Sequence, residues 1–120
     1  MIIKTIQQQI LPGTVIPKPA AKADFVVKGW GIRRGESALI YQIPNHRNPE
    51  RPYEKGITEA EFVQAHEELA REGVLTREWF HKTLPACARE GSCNFTTLGG
   101  ILELLGKVRY VEPGVYASNQ

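Results

Sequence analysis

The sequence predicts an α+β fold in which an N-terminal β-hairpin precedes three short helices and a second hairpin closes the chain. Three observations predict it. Phe25 to Ile32 and Ala38 to Ile43 are β-rich runs joined by the Gly-containing turn Arg33-Arg34-Gly35-Glu36. Thr58 and Glu61 have the spacing of a capping box, with Ile57 and Phe62 at the positions of a hydrophobic staple. Lys107 to Val111 and Val115 to Ala117 alternate around Glu112-Pro113-Gly114, where Pro then Gly suits the centre of a type II turn.

In chain order, residues 1–24 read as an extended arm, because Pro12, Pro17 and Pro19 each remove a backbone donor and restrict the residue before them. Residues 25–43 form the hairpin, in which Gly29 and Gly31 flank Trp30 and suit a bulge or the close approach of another group. Residues 44–56 read as a polar loop, rich in proline and charge and long enough to carry a function. The first helix starts at Thr58, buries Phe62, Ala65, His66 and Leu69, and stops at Gly73. Val74-Leu75 is a short strand. Thr76 caps the second helix, with Leu75 and Phe80 again at staple spacing; Pro85 removes the bond to the His81 carbonyl, so a kink or break is expected there. Asn94 caps the third helix, whose core face is Phe95, Leu98, Ile101, Leu102 and Leu105 and which ends at Gly106. Gly99 and Gly100 inside it each cost about 1 kcal/mol against alanine, which calls for a close neighbour in compensation.

With 120 residues, 42% hydrophobic and 23% charged, the chain is sized and composed for one domain with one core, residues 1–120. A formal charge of +2 permits nucleic acid as a partner without demanding it. Met1 to Ile10 lacks the pattern of a secretory leader and no stretch reaches membrane-spanning length, so a cytoplasmic protein with no membrane partner is expected. Cys87 and Cys93 are then expected as thiols. His81, Cys87 and Cys93 lie too far apart for a zinc knuckle, so neither metal nor cofactor is expected. There is no phosphate-binding glycine loop, nucleophile elbow or zinc-protease motif. Asp24, Glu36, His46, Arg47 and Glu54 have no spacing that makes a nuclease-like cluster, and no catalytic residue is assigned.

The order of helix, short strand, helix, helix and hairpin across residues 57–118 resembles winged-helix domains, a helix-turn-helix superfamily. The resemblance implies a third helix in the DNA major groove with Asn94, Thr96, Thr97 and Gly100 facing it, and Lys107 and Arg109 at the base of the wing. The chain departs from that pattern in carrying Glu103, and no lysine or arginine, on the helix's outer face. A second basic surface is expected from Arg33, Arg34, Arg47 and Arg51, interleaved with Trp30, Tyr41 and Tyr53. The resulting expectation is a small non-enzymatic DNA-binding or regulatory protein that takes double-stranded DNA, as a homodimer if it reads two half-sites. The alternative is an interaction module that turns the same surface to a protein partner, with a nuclease-like enzyme third.

Overall fold

Ile2, Ile3, Ile6 and Ile10 recur at helical spacing, and in a computed structural model, which describes residues 1–120, the first three are the buried face of a helix α1 (Ile2–Gln9) and Ile10 is buried just past its end. The expectation that residues 1–24 are an arm throughout is therefore corrected at its start. Eight residues make a marginal helix in isolation; packing of the isoleucine face against helix α2 holds it. The prolines confine the extended stretch to the residues after Ile10, where Val15–Ile16 (β1) pair antiparallel with Val26 and Phe25.

The expected hairpin forms as β2 (Phe25–Arg33) and β3 (Glu36–Ile43), but it is not free-standing. It is the middle of a four-stranded antiparallel sheet, β1-β2-β3-β4, whose last strand β4 (Tyr53–Thr58) takes up the end of the expected loop. The loop shrinks to residues 44–52. Arg34 (φ 52°) and Gly35 (φ 73°) are both left-handed, as a two-residue hairpin turn matching the strand twist requires. Gly29 sits at a bulge opposite β3 with φ 138°, a conformation that residues with side chains rarely adopt.

Thr58 ends β4 and begins α2 (Glu59–Glu72) with no residue between them: its hydroxyl accepts from the Glu61 amide while the Glu61 carboxylate accepts from the Thr58 amide. Gly73, at φ 76°, stops the helix. Next come β5 (Val74–Thr76) and α3 (Arg77–Thr83), capped by the Thr76 hydroxyl on the Trp79 amide. Pro85 breaks the second expected helix outright and becomes the first residue of α4 (Pro85–Glu90). After α5 (Asn94–Leu104), β6 (Val108–Glu112) and β7 (Val115–Ser118) form the closing hairpin, in a three-stranded sheet of order β5-β7-β6. The predicted fold class is corrected accordingly: the chain has five helices and a four-stranded N-terminal sheet, not an N-terminal hairpin followed by a three-helix unit.

One apolar cluster runs from Ile2 and Ile6 through Tyr41 and Phe62 to Phe95, Leu98 and Tyr116, so both sheets share a single core. Helix α5 is buried on nearly every side, from Asn94 and Phe95 through Gly99, Gly100 and Leu102. A helix that is apolar all round belongs to an interior. No helix is long and apolar enough to cross a membrane.

Candidate functional site

The residues expected to face DNA lie against the protein's own N-terminal segment. Asn94 and Thr97 are fully buried. The Asn94 side-chain oxygen accepts from the Tyr41 hydroxyl at 2.5 Å, and its amide donates to the Cys87 carbonyl at 2.9 Å. Gly100 lies under the backbone of Pro17 and the side chain of Ile16, where a Cβ would have no room. Lys18 Nζ reaches across from the segment to the Cys93 carbonyl (2.9 Å) and the hydroxyls of Thr96 (2.6 Å) and Thr97 (2.9 Å), with Phe25 beneath it at 4.3 Å. Asn94, Thr97 and Gly100 are thus covered from within, and Thr96 is only partly so.

Lys18 is an unusual neighbour for the first turn of α5, because a cation there opposes the helix dipole. Burial holds its pKa down to about 8; the Cys93 sulfur acts against the shift and the Arg77 charge adds to it. In the unfolded chain the amine keeps its proton to near 10.5, whereas in the fold it releases it near 8. Between those values the unfolded state binds the extra proton, so the fold gains stability as pH rises. The urea-denaturation difference between wild type and Lys18→Met should therefore shift in favour of wild type from pH 7 to pH 10. An unchanged difference would mean that the amine titrates normally.

Beside this anchor a groove of about 580 Å³ opens between the extended segment and the closing hairpin. Pro19 and Ala20 line it on one side and Tyr110, Pro113 and Gly114 on the other, with Thr96 of α5 and Arg77 and Glu78 of α3 also on its surface. Arg77 stacks over the Phe95 ring at 4.9 Å and donates to the Ser92 carbonyl at 3.0 Å, but forms no ion pair. A second hollow of about 250 Å³ is lined by His66, Lys107 and Ser118 at the far end of α2. His66 is half-buried there rather than in the core.

The four arginines expected to form one basic surface separate into two environments. Arg34 turns back beneath β4, donating from two nitrogens to the Glu61 carboxylate (2.7 and 3.1 Å) and to the Gly56 carbonyl (2.8 Å). Glu90 completes the cluster, accepting from the Gly56 amide at 3.0 Å. Arg33 Nε and Arg34 Nη1 lie 3.3 and 3.1 Å from Glu90 oxygens, yet neither N–H points along a hydrogen bond, so these two contacts are coulombic. Arg47 and Arg51 stay exposed on the loop without ion pairs. At the closing hairpin Lys107 and Arg109 also form no ion pair, and Arg109 donates to the Ser118 carbonyl at 3.0 Å.

Burial also pushes up the Cys87 thiol and the Tyr41 and Tyr116 hydroxyls, so all three are neutral near pH 7. No group of three or more His, Cys, Asp or Glu gathers in a way that could hold a metal ion. Sequence reasoning misses Lys18, which no motif marks, and the groove, which residues distant in sequence build. No protein-family model, curated protein or solved structure matches the chain.

Proposed function

We propose that the protein is a small regulatory binding module that takes a segment of a protein partner in the groove between the extended segment and the closing hairpin. The observation that carries this reading is the groove itself, whose size falls within the range of ligand sites and whose open wall is mostly carbon with a few polar groups. Pro19, Pro113 and Tyr110 offer rigid surfaces that lose little freedom when covered. Arg77 on the same surface, free of any ion pair, favours a partner that sets a carboxylate beside an apolar side chain. Titrating isotope-labelled protein with capped acidic-aromatic peptides should shift the amide resonances of Thr96, Tyr110 and Gly114, and Tyr110→Ala should weaken binding at least about tenfold. Resonances that stay fixed at millimolar peptide, or that move only elsewhere, would remove the groove as the binding face.

A second reading is binding to duplex DNA, favoured by Lys107 and Arg109 standing without acidic partners on the closing hairpin. It uses the hairpin and not the covered face of α5. It predicts a mobility shift at low salt that weakens steeply as salt rises and is lost in the Lys107→Ala, Arg109→Ala double variant. Free DNA at micromolar protein and low salt dismisses it.

A further inference from the structure

The contact between the extended segment and α5 sets a buried lysine amine against the hydroxyl of a groove-lining threonine. Thr96 lines the groove, and Lys18 Nζ lies behind it, 2.6 Å from its hydroxyl oxygen. Two further acceptors fix the amine, the Cys93 carbonyl and the Thr97 hydroxyl, each at 2.9 Å. A neutral amine has two protons and one lone pair. The protonated amine donates to all three, and the Thr96 hydroxyl donates in turn to the Cys93 carbonyl at 3.2 Å; when the amine loses a proton it keeps Cys93 and Thr97, and rotation of the Thr96 hydroxyl hydrogen from Cys93 toward Nζ lets the lone pair accept it. The site therefore holds the amine in either protonation state without moving it, as a general base that must cycle between them requires.

We propose that Thr96 and Lys18 are a nucleophile and base that accept an acyl group from an ester seated in the groove. This goes beyond partner binding and rests only on the groove as the ligand seat. In the first step the Thr96 oxygen bonds to the carbonyl carbon and its proton passes to Lys18 Nζ. The carbon–oxygen bond to the leaving alcohol then breaks, and Lys18 returns the proton to that oxygen. Water attacks the acyl-threonine, Lys18 takes the water's proton, and the Thr96 oxygen leaves with it as the carboxylic acid is released. Arg77 is the one cation among the residues lining the groove, and its charge would favour the developing oxyanion. Burial of the amine, with a pKa of about 8, leaves an appreciable unprotonated fraction at neutral pH.

The test is the full chain with p-nitrophenyl acetate, following nitrophenolate release and mapping the acetyl group by peptide mass spectrometry. Acetylation at Thr96 is expected, at a rate that falls as pH drops through about 8. Thr96→Val should leave the position unlabelled, Thr96→Ser should restore labelling, and Lys18→Met should slow it at least about 100-fold. Circular dichroism checks that each variant folds; if Thr96→Val does not, Thr96→Ser and the wild-type pH profile decide. An acetyl group confined to Lys18, no adduct at Thr96, or a rate at Thr96 indifferent to pH across this interval would overturn the proposal. The peptide titration is read independently, so a groove that binds peptide yet leaves Thr96 unacylated overturns the chemistry and leaves the binding reading standing.

Discussion

Replacing Arg34 with alanine should lower the free energy of unfolding by about 3 to 5 kcal/mol, measured by urea denaturation at pH 7. The Arg34, Glu61 and Glu90 side chains are only 18%, 10% and 23% exposed, so water cannot replace the guanidinium once it is gone. The Glu61 carboxylate would be left without a cation, Glu90 would keep only Arg33, and the Gly56 carbonyl would lose its side-chain donor. A control separates charge from packing: adding Glu61→Gln to Arg34→Ala should recover part of the loss, since Glu90 still faces Arg33 and no unpaired charge then remains. A variant within about 1 kcal/mol of wild type would place the cluster among surface ion pairs of little worth. The cluster also sets an acid limit. Burial works to raise the Glu90 pKa, but the Gly56 amide, Arg34 and Asn94 outweigh it and hold the carboxyl below its usual range. Its contribution is present above that range and fades as pH falls through the lowered value, so Glu90→Gln should flatten the acid side of the stability profile.

The second large effect is expected at Gly99. An added Cβ would overlap the ring of Tyr116, which is fully buried and wedged between Phe95 and Tyr110 with centroids 5.6 Å from each. Alanine gains about 1 kcal/mol of helix propensity over glycine, but a ring held on both sides has nowhere to go. Gly99→Val, larger and β-branched, should cost about 3 kcal/mol or more, since overpacking is felt on top of the lost fit. Gly99→Val combined with Tyr116→Leu should recover a measurable part, and thermal melts of the two singles and the double give the coupling directly. Additive losses would show that the ring and the glycine are not in contact. Gly100→Ala is a harder case, because its obstacle is the Pro17 backbone and not the end of a side chain.

Where local signals are strong, the sequence reports the structure well. The capping box at Thr58, the left-handed Gly73, the cap at Thr76, the break at Pro85 and the closing turn at Pro113-Gly114 all depend on residues within a few positions of each other. Helix α1 and strand β4 are hidden for a physical reason: eight residues are too few for a stable isolated helix, and Glu54-Lys55-Gly56 shows no alternation. Both exist because other elements pack on them. Gly56 reads as a loop residue, yet it is glycine because Arg33, Ile40 and the Leu39 carbonyl crowd the place of its Cβ. The need for close neighbours at Gly99 and Gly100 can be inferred from the cost of helical glycines, but not their identity, since Tyr116 and Pro17 arrive from opposite ends of the chain. The same holds for the candidate site. Nothing local marks Lys18, and the helix expected to read DNA is the most enclosed one.

Lys18 meets Thr96 across 78 positions of chain, and that span has a consequence for synthesis. At a translation rate of roughly 5 to 20 residues per second, the N-terminal segment emerges roughly 4 to 16 seconds before the helix that covers it exists. The isoleucine ridge waits only for α2, whereas Lys18 stays hydrated and fully charged until α5 follows, so the two contacts of this segment close one after the other, the polar one last.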